Sequence, residues 1–580
     1  VSLTAALRSA SSGLQAAQTT VGVVSDNIAN VNTAGYVRKL VSQQQLVLGG
    51  AGAGVEVTGI KRAADQYLQS ASLTASADAE RWSTVSEQLD SAQSLFGDPA
   101  SDTGFFSGLD GILGAFQSLA DDPSSSLLRS QATSEIQDFF TAADRIGDQL
   151  AGMQRSVDSQ ASATVDRANS LLDQIAGLNG DIGRAKASGA DTTGSENLQS
   201  QLIDELAGLM DVKLSARSSG GVDVRSGAGV LLAGDGAAKL TYDANATDHV
   251  TVQPDGSPTS QPMQVSSGVL RGLIDLRDDD LPGLVDQLNA FTASTADQLN
   301  AAHNDSTAVP PPATLTGRDM GVDLPTAVTG FTGSASVVLV DRTANTTTRT
   351  IDIDFDAGTI SVDGAAGVAF TPADFLDQLN TALGSAGSAS FTDGKLSLNA
   401  TGGAGVAIDE GTSAKDGRGF SHTFGLNDLV VSDGAGGYQV RSDIAADPKQ
   451  LAAGKVNASA AVGAVSVAPG DGSGAQALAA AGEVKIDFPA AGDLGALSTT
   501  LSDYAAQFGG AVGRAAATAE SRAESSEAVA SQATARRQSA EGVNLDEELV
   551  NLTTYQQAYA ASAKLIQAIS EMFDDLFKIV

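Results

Sequence analysis

The stretch Leu3–Val31, LTAALRSASSGLQAAQTTVGVVSDNIANV, sets the architecture of this chain. Leu7, Leu14, Val21 and Ile28 recur every seven residues, and Leu3, Ala10, Ala17, Val24 and Val31 fill the companion position three residues on. This predicts one apolar seam on a helix of ~45 Å, at ~1.5 Å per residue. Only Arg8 and Asp26 are charged among the first 37 residues, so ion pairs do not choose the partner of this seam. Gly35, after Asn32-Thr33-Ala34, is where such a helix is expected to stop.

The far end of the chain mirrors the first. Leu545, Leu552, Tyr559, Ile566, Phe573 and Val580 recur every seven residues. Tyr555, Ile569 and Leu576 lie three positions on, while Leu549, Ala563 and Phe577 lie four on. Asp546, Glu547 and Glu548 suit the positive end of this helix. Two striped helices at opposite ends of a chain most simply pack on each other. One such pair covers only one face of each helix, and the wider C-terminal stripe leaves apolar surface for neighbours. The expected assembly interface is therefore Leu7, Leu14, Val21, Val24, Ile28 and Val31 with Leu545, Leu549, Leu552, Tyr559, Ile566 and Phe573.

Between the ends the character alternates. Residues 61–215 read as helical, with Trp82, Leu89 and Phe96 at seven-residue spacing and a long pattern opening at Asp121-Asp122-Pro123. Residues 216–280 are Gly-rich with short alternating runs such as Val222-Asp223-Val224, which favour strands. A helix is predicted from Pro282 to about His303, and Pro310-Pro311-Pro312 marks a linker. Val337–Val340, Ile351–Phe355 and Leu396–Leu398 read as strands around a short helix at Phe375–Leu383, and residues 495–540 return to Ala-rich helix.

With 580 residues the chain is long enough for several domains. A net charge of −35 argues against nucleic acid, whose phosphates need concentrated Lys and Arg. There is no cysteine, which excludes disulfides and Cys-ligated metals. No apolar run is long enough to cross a bilayer, so no membrane insertion is expected. No cleavable leader is expected either, for want of a basic, apolar and small-residue order at the N-terminus.

Two strings are more specific. Ser12-Gly13-Leu14-Gln15-Ala16-Ala17-Gln18 with Asn27-Ile28-Ala29-Asn30-Val31-Asn32-Thr33-Ala34-Gly35-Tyr36 resembles the N-terminal signature of flagellar rod, hook and hook-associated proteins. Gly542 through Glu548, then Asn551-Leu552 and Tyr555-Gln556-Gln557-Ala558-Tyr559, resembles the matching C-terminal signature. The motif positions are Asn27, Asn30, Asn32, Thr33, Gly35, Tyr36, Asp546, Glu547, Tyr555 and Gln556. Gly268-Val269-Leu270-Arg271-Gly272-Leu273, Arg277-Asp278, Leu281-Pro282 and the Asn300–His303 segment resemble the hook–filament junction branch of that family. Asn197-Leu198-Gln199-Ser200 stand where the family carries Asp and Arg, which removes the sequence basis for a charged network there.

The resemblance implies a structural subunit at the hook–filament junction of the bacterial flagellum. It implies a ring-like homo-oligomer that touches the hook protein and a second hook–filament junction protein. It also implies an export chaperone and type III export to the extracellular flagellum with an uncleaved N-terminus. A hook or rod subunit would share both signatures but lack the long helical region after residue 61, and an adhesive role for the inserted domain stays open. Asn27, Asn30 and Asn32 can cap the helix end or make register contacts between subunits. Tyr36, Tyr555 and Tyr559 can serve an interface or a core equally.

Catalytic patterns are not legible. His249, His303 and His422 are scattered without ligand spacing. Asp352, Asp354 and Asp356 with Gly358 resemble a calcium loop, but the glycine is one place late and the twelfth position is Asp363, so a strand's polar face is the better reading. Gly470-Asp471-Gly472-Ser473-Gly474-Ala475 matches a loose dinucleotide fingerprint without a βαβ frame and reads as a flexible linker. No enzyme and no cofactor are expected. The fold expected is α+β, discontinuous and multidomain, with a terminal helical coiled coil, a helical-bundle stem and outer β-rich domains. Its parts are 1–60 with 541–580, 61–215 with 495–540, 216–320 with 441–494, and an insert over 321–440.

Overall fold

Both apolar ends are helices in the computed structural model, which describes residues 3–33, 35–48, 51–97 and 104–579. Ala34 of the N-terminal motif and Val580 of the C-terminal stripe lie outside the described residues. The chain opens with α1 (Leu3–Ala29), then a hairpin of β1 (Lys39–Leu48) and β2 (Ala51–Arg62). Helices α2 (Gln66–Phe96), α3 (Ser107–Asp121), α4 (Ser126–Ser188) and α5 (Thr193–Leu209) follow. Two three-stranded sheets come next, β3 (Val212–Ala216), β4 (Val222–Ser226), β5 (Leu231–Ala233) and β6 (Lys239–Tyr242), β7 (Val250–Gln253), β8 (Gln261–Pro262). Then come α6 (Val269–Asp275), α7 (Leu281–Asn304), β9 (Thr314–Thr316) and α8 (Leu324–Val328). The insert carries β10 (Ser334–Asp341), β11 (Thr347–Asp354), β12 (Thr359–Val362), β13 (Val368–Ala369), α9 (Phe375–Leu383), β14 (Gly387–Thr392), β15 (Lys395–Ala400), β16 (Ala404–Asp409) and α10 (Phe420–Phe424). Short pieces β17 (Val430–Ser432), β18 (Tyr438–Val440), α11 (Ser442–Ala446), α12 (Ser473–Ala479), β19 (Ile486–Phe488) and β20 (Leu497–Thr499) lead to α13 (Leu501–Glu541) and α14 (Leu545–Ile579). The fold is α+β and discontinuous.

Helix α1 ends at Ala29, six residues before Gly35, so Val31 lies past the helix and outside the continuous seam. The cause is local polar competition. Asn30 donates its Nδ2 to the Asp26 carbonyl at 2.9 Å, and Thr33 N–H bonds the Asn30 carbonyl at 2.9 Å, which closes the last turn. Gly35 then takes φ +70°, the left-handed value expected of a chain reversal.

One compact unit comprises residues 1–89, 154–278 and 516–580. Its core holds Leu89, Val157, Leu171, Ile175, Ile182, Ile203 and Leu206, the apolar side of the predicted helices. Trp82 has two guanidinium groups over its ring, Arg81 at 4.8 Å and Arg522 at 4.4 Å from the ring centre. Gly268, at φ +87°, lets α6 start against the end of α5, since a Cβ there would stand 2.5 Å from the Met210 nitrogen.

The second unit comprises residues 90–153 and 279–515. Its insert is a five-stranded antiparallel sheet in the order β13-β12-β11-β10-β16. Ile351 and Ile353 are buried while Asp352 and Asp354 point away, which is the period-two reading of that strand. Asp352 accepts from Ser336 Oγ at 2.7 Å and Asp354 from Ala357 N–H at 2.8 Å. The inner sheet face packs on Phe375, Leu379, Phe420 and Phe424, and the other face of β10 buries Val338 and Val340 against Val467. A separate aromatic core joins Phe96, Phe105, Phe106, Phe139, Phe291 and Phe508, with Phe105 and Phe139 stacked at 5.2 Å.

Asparagines at the end of α7 bind the chain that returns from the insert. Asn300 donates to the Val430 carbonyl at 2.8 Å and accepts from Leu429 N–H at 2.7 Å and Val430 N–H at 2.8 Å. Asn304 donates to Asp428 at 2.8 Å and accepts from Asn427 N–H at 2.8 Å and Ser421 Oγ at 2.7 Å. His303, wholly buried, donates from Nδ1 to the Asn427 carbonyl at 2.6 Å, while Nε2 accepts from Ala452 N–H at 2.9 Å. These partners fix the neutral tautomer, and burial pushes its pKa down to about 3.

Two expected linkers are packed instead. The Pro312 carbonyl accepts from Val406 N–H at 2.8 Å, so the proline run lies along β16 as an extended neighbour. Gly470–Ala475 forms a turn into α12, where Asp471 accepts from Lys455 N–H at 2.8 Å and Ser473 N–H at 2.9 Å. Proline marked the first as a linker and glycine the second as a flexible one, but hydrogen bonds from residues outside each stretch hold both.

Candidate functional site: the joint of the terminal helices

Helix α14 runs antiparallel to α1. Gly13 faces Ser562 (a Cβ on Gly13 would sit 3.3 Å from its Oγ), and fourteen residues further on α1 Asn27 reaches Glu548, fourteen residues back on α14. The equal steps keep the pair in register over two heptads. The β1–β2 hairpin lies on α1 as well. Gln43 donates to Thr20 Oγ1 at 3.1 Å, and Val55 N–H donates to Ser12 Oγ at 3.1 Å. Gly54, at φ +115°, permits this approach, since a Cβ there would lie 2.0 Å from Ser12 Oγ.

The buried side of α1 is the small-residue side. Ala10, Ala16, Ala17, Thr20, Val23, Val24 and Asn27 are buried, whereas Leu7, Leu14, Val21, Ile28 and, beyond the helix, Val31 are half-buried. On α14 the predicted set divides. Leu552, Ile566 and Phe573 are half-covered with Tyr555, and Ile569 is buried. Leu545, Leu549 and Tyr559 are exposed, together with Val550, Leu565, Met572, Leu576 and Phe577, the last 74% exposed. Gln556 and Asp546 are exposed too.

Asn27, 1% exposed, is the hub of the joint. Its Oδ1 accepts from Lys39 N–H at 2.9 Å and from the Tyr36 hydroxyl at 3.0 Å. Its Nδ2 donates to the Lys39 carbonyl at 3.0 Å and to Glu548 Oε1 at 3.2 Å. The amide thus pairs with the Lys39 peptide as a neighbouring strand would, while holding α14 by its first turn. Burial, then the charges of Asp26 and Glu548, push the Tyr36 phenol up to about 12. Asn544 accepts from Asp546 N–H at 3.0 Å and so caps α14, and Glu547 pairs with Arg38 at 3.0 Å. Asn30 caps α1, Thr33 bonds Asn30 at 3.2 Å, and Asn32 is exposed.

Beside the hub lies a buried charge network. Arg537, 8% exposed, pairs with Asp204 at 2.8 Å and Glu541 at 2.9 Å, and its third nitrogen bonds Ser200 Oγ at 3.0 Å. Glu541 also accepts from Asp65 N–H at 2.6 Å, and its carbonyl accepts from Arg38 N–H at 2.8 Å. The charges lost from the Asn197–Ser200 stretch therefore do not leave the place uncharged; Ser200 becomes a ligand of Arg537, and Asn197 bonds the Val37 carbonyl at 3.3 Å. Burial holds Asp204 above the usual carboxylate range despite Arg537, and holds the Arg62 guanidinium below its usual value. A cavity of about 800 Å³ opens here, lined by Asn30, Asn32, Thr33, Tyr36, Arg537 and Glu541 among others.

Sequence reading missed Glu548, Arg38, Lys39, Arg537, Glu541 and Asp204 as parts of this site, and the hairpin with them. Its signal was present. Gly49-Gly50 separates Leu46-Val47-Leu48 from the alternating Val55-Glu56-Val57. Nothing in the sequence, however, paired Asn27 with a residue more than 500 positions away. The histidines stay apart: His249 contacts Asp278 at 3.0 Å in the first unit, and His422 contacts Asp297 at 3.2 Å in the second. Among the described residues no group of three His, Cys, Asp or Glu side chains is placed to hold a metal, and no helix is long and apolar enough to cross a membrane.

Three family profiles match the chain: the Flagellar hook-associated protein FlgK helical domain over residues 89–320, the Flagellar basal body rod FlgEFG protein C-terminal over 537–579, and the Flagella basal body rod protein over 7–36. The flagellar hook-associated protein 1 of Salmonella typhimurium is 27% identical over 98% of this chain and 99% of its own length. That of Escherichia coli K12 is 25% identical over 99% of both. The structure of the flagellar hook junction protein FlgK from Burkholderia pseudomallei aligns at 17% identity and a TM-score of 0.47, over 82% of this chain and all of that one. The two terminal profiles fall on the helices and loop that build the Asn27 joint, the third on the helical region beyond, and the curated relatives align from end to end: the chain is similar along its whole length to flagellar hook-associated protein 1.

Proposed function

We propose that this chain is a structural subunit of the bacterial flagellum at the junction of hook and filament, assembling through its terminal helices and carrying no catalytic site of its own. One observation carries the assembly reading. Helix α14 is held to α1 along one side and presents Leu565, Met572, Leu576 and Phe577, from 49% to 74% exposed, on another. An apolar stripe of that extent on a helix already packed against its own chain calls for further chains around it. The neighbours follow from the family: further copies in a ring-like homo-oligomer, the hook protein, and the second hook–filament junction protein. Export through the type III apparatus with an uncleaved N-terminus, and a chaperone that covers the stripe inside the cell, belong to the same reading. So does the fourfold division of the chain, with residues 321–440 as an outer insert.

Immunogold electron microscopy on intact flagella, with antibody raised against residues 325–440, tests the placement. A discrete band where hook meets filament is expected. Label along the whole hook or on the rod would make this a hook or rod subunit instead.

A further inference from the structure

One group of the Asn27 joint is incompletely matched. Glu548 is 2% exposed; its Oε1 accepts from Asn27 at 3.2 Å, while its Oε2 is buried without a hydrogen-bond partner. The charged and titratable groups around it come from each neighbouring element. They are Asp26 on α1, Tyr36 in the following loop, Arg38 and Lys39 on and before β1, and Glu547 on α14 itself. Both cations have other carboxylates: Arg38 pairs with Glu547 at 3.0 Å and Lys39 with Asp26 at 3.1 Å. The Tyr36 hydroxyl is given to Asn27. A carboxylate buried with half its lone pairs unmatched is penalised in its charged form. Burial accordingly raises the proton affinity of Glu548, against the opposing pull of Asn27 and Arg38. When α14 lifts away, the same carboxyl returns to water and to its ordinary affinity.

We propose that closing α14 onto α1 and β1 takes up a proton at Glu548, so that the terminal joint is tightest in acid and loosens as the pH rises out of the acid range. The closed joint holds the proton more firmly than the open one, so closure is favoured fully below the open-state pKa. That advantage is lost as pH rises through the higher closed-state pKa. The consequence is a subunit whose ends are easier to open at neutral pH, where they must re-pack on neighbours. This linkage requires only that α14 docks on α1, and is independent of where in the flagellum the subunit sits.

Hydrogen exchange of the full-length chain, read by mass spectrometry over residues 545–563 from about pH 3.5 to 7.5 and corrected for intrinsic rates, tests it. Wild-type protection should fall several-fold as the pH rises across that range, which spans the ordinary carboxylate affinity and the raised one. Glu548→Gln should be flat with pH and better protected than wild type at about pH 7.5; Glu548→Leu, which also removes the titration, should be flat as well. The proposal is overturned if wild-type protection does not change with pH, whatever the variants do. It is overturned equally if both variants keep the wild-type profile, or if Glu548→Gln is less protected than wild type throughout.

Discussion

Two buried joints in this molecule are built on asparagine, and they are finished to different degrees. At the end of α7, both polar atoms of Asn300 and Asn304 and both ring nitrogens of His303 have partners in the same unit. At the end of α1, Asn27 is equally well bonded, but Glu548 Oε2 and Arg38 Nε are buried without a partner. A fully matched buried network admits one geometry and resists opening, because every departure strands a donor or an acceptor. A partly matched one gives up less when it opens. The first joint ties the returning chain of the insert to its helix for good. The second joins ends that carry an exposed apolar stripe, and its incompleteness lowers what is given up when it opens.

Asn300→Ala leaves the Leu429 and Val430 backbone groups buried and unpaired, and should cost about 3–5 kcal/mol. Calorimetry should show one transition moved to lower temperature and the other left in place. Equal movement of both would deny that the two joints are independent.

Acid separates the joints by sign. The folded pKa of His303, about 3, lies below that of an exposed histidine, so its contribution is intact above the unfolded value and is lost as pH falls toward 3. At pH 4.5 the neutral ring should cost the second unit about 2–3 kcal/mol, taking an unfolded value near ~6.5. Urea unfolding of wild type against His303→Gln isolates this term, and the variant should lose that part of the slope. The Glu548 joint should respond in the opposite direction.

Asn27→Ala removes the hydrogen bonds to Lys39, Tyr36 and Glu548, a loss of about 2 kcal/mol at the joint. Exchange of residues 545–563 should quicken while that of residues 281–304 stays unchanged. Smallest of all, Phe577→Ser, at a 74% exposed position, should shift the stability of the free chain by less than about 0.5 kcal/mol. It should nevertheless reduce incorporation into flagella, as measured by the yield of chain in sheared, washed filaments.

Local structure was largely legible. The predicted helix over Phe375–Leu383 is where the structure has it, and the strand predicted over Ile351–Phe355 is present through Asp354 with Phe355 already in the turn, because a short-range period of burial decides both. The two terminal helices were legible for the same reason. The face that α1 buries was not. A heptad offers two apolar positions, and the spacing does not say which of them the chain's own packing buries more deeply. Close packing by the hairpin and α14 selects the small side of Ala10, Ala17 and Val24. The parts of the site that went unseen, Glu548, Arg537 and Asp204, are joined by contacts across most of the chain, and no local pattern encodes those.

Whether the outer stripe of α14 is covered when the subunit assembles is reported directly by Met572. Of the five methionines it is the one classed as exposed, at 49%. Dilute peroxide, followed by peptide mass spectrometry, should oxidise Met572 faster than the other four in the free chain, and should oxidise it several-fold more slowly in isolated intact flagella. Equal rates in the free and assembled states would mean that the stripe stays in water, and that assembly uses some other surface.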